Sequence, residues 1–404
     1  MNATEVDPAI VTPKGRAGLA TRITRGQTAQ AFAARLAARA LARPLRMGTT
    51  VFAAKHAQVR ELLCRDLDFI IAPVNDAKIR EVNDGAFILG MDRGERLERE
   101  RRALYAALEE VDLAALREGV RADIAAVLGA VPAGGAVDIV GGYARPIAAR
   151  TAQRLFGITG TSERMFMEAV RSVFAHTFLN QADNPAVRDR AIRAGAYMAG
   201  WFADEIARRR ASGALGEDFM GHLLTQGVLD DDGVRRTLGG MLVGSIDTTA
   251  TCVAKVMKVA ARDRDLLHAM SRDAHDLHRM DGWVNEALRR WPHNPVVLRK
   301  AAADCTLGGR AIKAGDSVIA WTQAAMHDES VFPKATHMDP ERDRAAYLHM
   351  GWGLHPCSGR PVNRFQIPML VGALLARGVD RVGKVGWVGP FPNCIEARLM
   401  EGPR

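Results

Sequence analysis

One segment restricts the fold more than any other. Residues 232–262 read as a single long helix, and its centre, "GGMLVGSIDTTATCVAKVM", is apolar around most of its circumference. One stripe breaks that pattern. Gly240, Gly244, Asp247, Thr248 and Thr251 fall at i, i+4, i+7, i+8 and i+11, which puts them on one face. Each glycine inside a helix costs about 1 kcal/mol relative to alanine, so two on one face need a reason. Either something bulky and flat presses on the backbone, with Asp247 and Thr248 supplying a carboxylate and a hydroxyl suited to proton delivery. Or the face packs tightly against a second helix, with a threonine bonded back to its own backbone. The helix alone leaves both readings open.

The other elements must fit around that helix. Helical periodicity recurs near 26–42, 55–66, 95–110, 114–129, 143–156, 162–180, 186–211, 217–227, 264–272, 277–290 and 360–376. Strand-like pieces are short: 49–54, 303–312, 316–321 and parts of 382–400. The expected class is mainly α with small β-sheets, as one domain over 1–404 with about 1–25 as an N-terminal extension. No glycine-rich loop follows a strand to open a helix, so neither a dinucleotide fingerprint nor a phosphate loop is present. No run of about eighteen apolar residues predicts a membrane span, and the N-terminus lacks the pattern of a secretory signal. Ala9 to Arg60 contains no Asp or Glu; we read this as a basic first helix rather than an organelle transit peptide.

The net charge of +9 favours acidic partners. The basic residues are interleaved with acids, as in "RGERLERERR" at 93–102, which reads as a solvated helix face and not a nucleic-acid stripe. Five cysteines at wide spacing, with no C-x-x-C, exclude a disulfide framework and a zinc site and suit a reducing cytoplasm.

One of these cysteines sits in an unusual place. In "GWGLHPCSGR" (351–360), Cys357 lies among glycines just before a helical pattern. The positive end of that helix favours thiolate, the metal-ligating form. A nucleophile with His355 as base and a plain buried cysteine are the other readings. Upstream, Glu286 and Arg289 lie three apart on a predicted helix and can pair. Pro295 and Arg299 follow, then Arg342 in "DPER".

Together these pieces resemble the cytochrome P450 family. Met350 to Gly359 matches its signature F-x-x-G-x-[HR]-x-C-x-G at Gly353, His355, Cys357 and Gly359, with Met350 in place of Phe. "GSIDTT" resembles [AG]-G-x-[DE]-T-[TS], with Ser245 replacing the second glycine, and Glu286 and Arg289 match E-x-x-R. The order along the chain also agrees, most clearly over 237–376 and more faintly over 88–104.

The resemblance implies a helical triangular prism around a buried haem b (iron protoporphyrin IX), with Cys357 as the axial iron ligand. Thiolate ligation pushes electron density to the iron and favours O–O cleavage. Met350, Gly351 and Gly359 would surround the sulfur, and Gly244 would leave room beside the helix. Thr248 and Asp247 would form the acid–alcohol pair. His355, Arg299 and either Arg96 or Arg101 would hold the propionates. Glu286, Arg289 and Arg342 would form a structural charge cluster. Substrate contacts are implied at Ile88, Gly240, Val243, Val296, Val297 and Phe391. The implied activity is oxidation of a small, mostly apolar molecule with O2. Electrons would come from a separate ferredoxin or flavodoxin and its NAD(P)H-dependent reductase, docking on a basic face that includes Arg101, Arg102, Arg360 and Arg364. The expected protein is a cytoplasmic monomer, bound to neither nucleic acid nor membrane. A peroxide-driven peroxygenase and a non-catalytic haem sensor or carrier are the alternative functions.

Overall fold

The computed structural model describes residues 27–180, 182–388 and 391–401. The N-terminal extension assigned to 1–25 lies outside them. The chain opens with α1 (Gln27–Ala40), β1 (Leu45–Met47), β2 (Thr50–Ala53), α2 (His56–Cys64), β3 (Phe69–Ile70) and α3 (Ala72–Asn83). It continues through α4 (Glu95–Glu110), α5 (Leu113–Gly129), β4 (Ala136–Asp138), α6 (Arg145–Phe156), α7 (Glu163–Phe174), α8 (Pro185–Ser212) and α9 (Phe219–Gln226). Then come α10 (Asp231–Val243), α11 (Asp247–Ala260), α12 (Arg264–Arg272), α13 (Leu277–Arg290) and β5 (Val297–Ala301). The last stretch holds β6 (Cys305–Leu307), β7 (Arg310–Ile312), β8 (Ser317–Ala320), α14 (Thr322–Ala325), α15 (Arg360–Arg377), β9 (Val379–Val388) and β10 (Phe391–Leu399). Wider π turns lead into α6 at Ile139–Ala144 and out of α7 at Ala175–Leu179.

Helix dominates, and the strands gather into three small sheets. The largest has the order β1-β2-β8-β5-β3; β2 and β8 run parallel and the other pairs antiparallel. Its register sets Arg299 opposite Val318, so the Arg299 side chain leaves the sheet on the side toward the Cys357 loop. The second sheet is β4-β10-β9, and β6-β7 is a hairpin. No helix among the described residues is long and apolar enough to cross a membrane.

The core surrounds α11. Val253, Val256, Met257 and Ala260 are fully or almost fully buried there, against α13 and α15. Helix ends follow ordinary capping chemistry. Asp230 accepts from Gly233 N at 2.7 Å to start α10, and Asp276 accepts from Arg279 N at 3.0 Å to start α13.

Two expectations change. The long helix at 232–262 is two helices, because the ladder breaks over residues 244–246. Hydroxyls take over the carbonyls there: Ser245 Oγ donates to Leu242 O at 2.7 Å, Thr249 Oγ1 to Ser245 O at 2.9 Å, and Thr248 Oγ1 to Gly244 O. Side chains inserted into the i→i−4 ladder are a standard cause of such kinks. The second change is α3, in the stretch Val74–Leu89 that the sequence presents as a loop. Its residues "APVNDAKIREVN" show no clean period, and it is held from outside. Asp92 Oδ1 accepts from Ile71 N and Ala72 N at 2.6 and 3.0 Å, and Asn83 Nδ2 donates to Arg236 O at 2.9 Å.

Candidate active site

The Cys357 loop is fixed by its own backbone. Cys357 N donates to Met350 O at 2.7 Å, closing the turn. Gly351 and Gly353 have φ of 75° and 72°, and a Cβ on Gly353 would lie 2.0 Å from Leu63 O at the end of α2. Only glycine allows that approach. The Cys357 residue is exposed to a water-sized probe, yet protein atoms surround its thiol. Both hold when the sulfur borders an interior hollow. Burial pushes the thiol pKa up, although the N–H groups of Gly359 and Arg360 and the Arg360 charge pull it down. Proximity to the start of α15 is therefore insufficient to make a thiolate; a cation at the sulfur is what would reverse the balance.

Beside the loop, two arginines and a histidine come together with no ion-paired carboxylate among the described residues, although the charges of Asp66 and Asp92 reach them. The Arg299 guanidinium is buried, and its one hydrogen bond among the described residues runs from Nη1 to Leu298 O at 2.8 Å. Burial lowers its pKa to about 10, against the pull of Asp92 and Asp66. The His355 imidazole is held down to about 4, by burial first and then by Arg299. Arg101 is the third neighbour: its charge acts on His355, and its Nε is buried without a hydrogen-bond partner. Arg96 is elsewhere. It is half exposed and paired to Glu100 at 2.8 Å, and Glu100 also meets Arg236 at 3.3 Å. Of the two arginines offered for this position, Arg101 is the one whose charge reaches His355, because it lies five residues further along α4 and so on another face of the helix.

The kink between α10 and α11 presents a second group of residues. Gly244 is exposed, and a Cβ there would meet only Met241 O at 3.8 Å. Thr248 is half-buried, its hydroxyl donating to Gly244 O. Asp247 turns away from it, with Oδ1 accepting from Arg145 Nε at 2.9 Å and lying 3.6 Å from Arg171 Nε. Gly240 does not belong to this surface. A Cβ on it would come within 2.2 Å of the Phe87 ring, so the flat group pressing on that glycine is a protein side chain.

Glu286, Arg289 and Arg342 meet as a cluster. Arg289 Nε and Nη2 donate to the two Glu286 oxygens at 2.7 and 3.0 Å, Arg342 Nε lies 3.4 Å from Glu286 Oε2, and Tyr347 OH donates to Oε1 at 2.8 Å. Arg289 also donates to Met326 O, Ala335 O and His337 O, the last two in the segment that leads to the Cys357 loop.

Comparison with known proteins decides the family. The family profile described as Cytochrome P450 matches residues 161–377, more than half of the chain. The chain belongs to the cytochrome P450 family.

Among its relatives, the cyclooctat-9-en-7-ol 5-monooxygenase of Streptomyces melanosporofaciens is 28% identical over 330 residues, 72% of either chain. The cytochrome P450 monooxygenase PikC of Streptomyces venezuelae is 30% identical over 282 residues, 67% of this chain and 63% of that protein. The crystal structure of CalO2 superposes with a TM-score of 0.80 at 21% identity, covering 94% of this chain and 98% of that one. Cytochrome P450 CYP109Q5 from Chondromyces apiculatus superposes at 0.77 and 18% identity, covering 98% of each. The helical prism with small sheets is thus the P450 fold.

A P450 carries haem, and the residues present fit one. Cys357 and Gly244 are exposed, Leu298 is 45% exposed, and Arg299, Arg101 and His355 lie near enough for their charges to act on one another, a donor set suited to acidic propionates. No group of three or more His, Cys, Asp or Glu that could hold a bare metal occurs among the described residues.

The substrate positions are mixed. Val243, Val296 and Val297 are half-buried, and Phe391 stacks on His293 with ring centroids 4.4 Å apart. Ile88 is packed in the hydrophobic core at 3% exposure, and Gly240 lies under Phe87, so neither is an open wall of the site. No sequence feature points to Arg145, Arg171 and Asn393 around Asp247. They lie on α6, α7 and β10, and no motif spacing links them.

Proposed function

We propose that this chain is a haem-thiolate monooxygenase. In this reading it is a monomeric, single-domain cytoplasmic enzyme that oxidises a small, mostly apolar organic molecule with O2. Electrons come from a separate ferredoxin or flavodoxin and its NAD(P)H-dependent reductase. The observation that carries the reading is Cys357, exposed though its thiol is surrounded by protein atoms, beside buried Arg299, half-buried Arg101 and His355, which make no ion pair with a carboxylate among the described residues.

Haem b bound through Cys357 would supply the oxidising chemistry, with the thiolate donating electron density. Arg299, Arg101 and His355 would hold its propionates. Thr248 donates its own proton to Gly244 O, so its oxygen keeps lone pairs free to accept a hydrogen bond on the interior side. Asp247 is the adjacent acid; Arg145 holds its Oδ1, and the unpartnered Oδ2 is the oxygen free to carry a proton. Arg289, Glu286 and Arg342 position the segment before the Cys357 loop. Val297 and Phe391 give the distal region its apolar character.

The test is the reduced carbon-monoxide difference spectrum of the purified protein. A thiolate-type band is expected in the wild type and its loss in Cys357→Ser; a wild type without the band overturns the reading. Thr248→Ala is expected to divert reducing equivalents to peroxide, measured as product per NADPH with ferredoxin and its reductase. Unchanged coupling would remove Thr248 from the proton route. Met350 stands where the family places an aromatic ring, and a thioether is softer and more mobile. The ferrous carbonyl complex is therefore expected to be unstable, with Met350→Phe stabilising it.

A further inference from the structure

A cavity lies between α7, the start of α11 and the tip of β9–β10, and Arg145, Arg171, Phe174, Asp247, Phe391 and Asn393 line it. Its charges do not balance. Two guanidiniums share one carboxylate: Arg145 Nε at 2.9 Å and Arg171 Nε at 3.6 Å from the same Asp247 oxygen. Asn393 Oδ1 accepts from both arginines, at 3.3 and 3.2 Å, but brings no charge. Glu168, the other carboxylate whose charge reaches Arg171, is itself paired to Arg164 at 2.9 Å, so one positive charge in the wall is uncompensated; burial together with Arg145 holds the Arg171 pKa below its usual value. Opposite lies a second unmet group: Asp247 is 6% exposed, and its Oδ2 has no hydrogen-bond partner. A buried polar atom without a hydrogen-bond partner is costly. The rest of the lining is apolar. Phe174 and Phe391 stand 5.9 Å apart, and Thr251 places the cavity one helical turn beyond Thr248.

We infer that this cavity takes the head of an amphipathic acid, one with a hydroxyl or amino N–H beside its carboxylate. The carboxylate sits on Arg171, whose remaining N–H groups make no hydrogen bond among the described residues. The neighbouring O–H or N–H donates to Asp247 Oδ2. The apolar remainder runs past Phe174 and Phe391 toward Thr248. A neutral alcohol cannot offset the charge, and a dianion such as a phosphate ester would face the Asp247 carboxylate with one negative charge in excess. Charge-assisted hydrogen bonds are about twice as strong as neutral ones, which is the source of the selectivity. The inference rests on the monooxygenase reading for what happens to the apolar end.

The test uses the haem-loaded ferric protein and three probes of equal chain length: 1-decanol, decanoate and 2-hydroxydecanoate. Binding is followed by the Soret shift and, independently of haem, by calorimetric heat. Decanoate is expected to bind about tenfold or more tighter than decanol, and 2-hydroxydecanoate tighter again by about threefold. Arg171→Gln should abolish the preference for the acids while leaving decanol within about twofold, and Arg171→Lys should retain part of it. Asp247→Asn should remove the gain from the 2-hydroxyl. Equal binding of decanol and decanoate to the wild type overturns the inference, as does an Arg171→Gln protein that weakens all three alike. A missing carbon-monoxide band with intact calorimetric selectivity would overturn the monooxygenase reading and leave this site standing.

Discussion

Two clusters of arginine and carboxylate flank the site, and they are built on opposite plans. Around Glu286 every oxygen is used: Oε1 accepts from Arg289 and Tyr347, and Oε2 from Arg289 and Asp339 N, with Glu286 and Arg289 both fully buried. Around Asp247 one oxygen serves two arginines, the other has no partner, and the Arg171 side chain is 29% exposed. A buried carboxylate with both oxygens engaged has one arrangement and holds its surroundings to it, even with Arg342 Nε left without a hydrogen bond. A half-satisfied one is free to exchange partners, which proton delivery and ligand binding both require. In the proposed function, the first cluster would build the scaffold and the second would be the adjustable part of the site.

Substitution can break that contrast. The largest effect is expected at the closed cluster. Glu286→Ala leaves Arg289 buried and unpaired, at a cost of about 3–5 kcal/mol. Denaturant unfolding should detect it, together with reduced haem retention. At the open cluster, Asp247→Asn also removes a buried counter-charge, but the amide oxygen can still accept from Arg145 and Arg171 is 29% exposed, so a smaller loss of about 1–3 kcal/mol is expected. Product formation should nevertheless fall by about 10-fold to 100-fold, with a larger solvent isotope effect. If Asp247→Asn destabilised the fold as much as Glu286→Ala, the distinction would collapse.

The two glycines before α11 repeat the contrast on a smaller scale. Gly240→Ala drives a Cβ into Phe87 and should cost about 1–3 kcal/mol. Gly244→Ala meets only Met241 O at 3.8 Å and should be nearly neutral in thermal unfolding, while changing the spin-state response to ligands.

Acid should act through the buried histidines, with His327 the one on the closed side. His327 is buried near Arg289 and Arg290, and burial before those charges lowers its pKa to about 4. The unfolded chain takes up that proton near pH 6.5 and the folded chain does not, so this stability is complete above about pH 6.5 and is lost as pH falls toward 4. The slope is at most about 1.4 kcal/mol per pH unit for one such histidine. Urea unfolding at pH 7 and pH 5 measures it, and His327→Gln should reduce the difference between the two.

Much of this site is legible in the linear sequence because its parts are local. Glu286 and Arg289 are one helical turn apart, Thr248 and Gly244 are i and i−4, and Cys357, His355 and the loop glycines share ten residues. Helix periods carry α4, α12 and α13 to the residue, since amphipathic spacing is a short-range property. Helix α3 escaped notice because partners distant in sequence stabilise it, Asp92 at its start and Arg236 at its end.

The sequence by itself determined the helical class, the order of the motifs, the sulfur that faces the interior and the pair of residues at the kink. Tertiary structure alone decided that 232–262 is two helices, that Arg101 rather than Arg96 stands at His355, that Phe87 covers Gly240, and that Asp247 shares a cavity with Arg145 and Arg171. The physical reason is range. Spacing along a chain fixes which residues share a turn or a face, whereas hydroxyls competing for carbonyls and charges competing for partners are resolved only when distant segments meet.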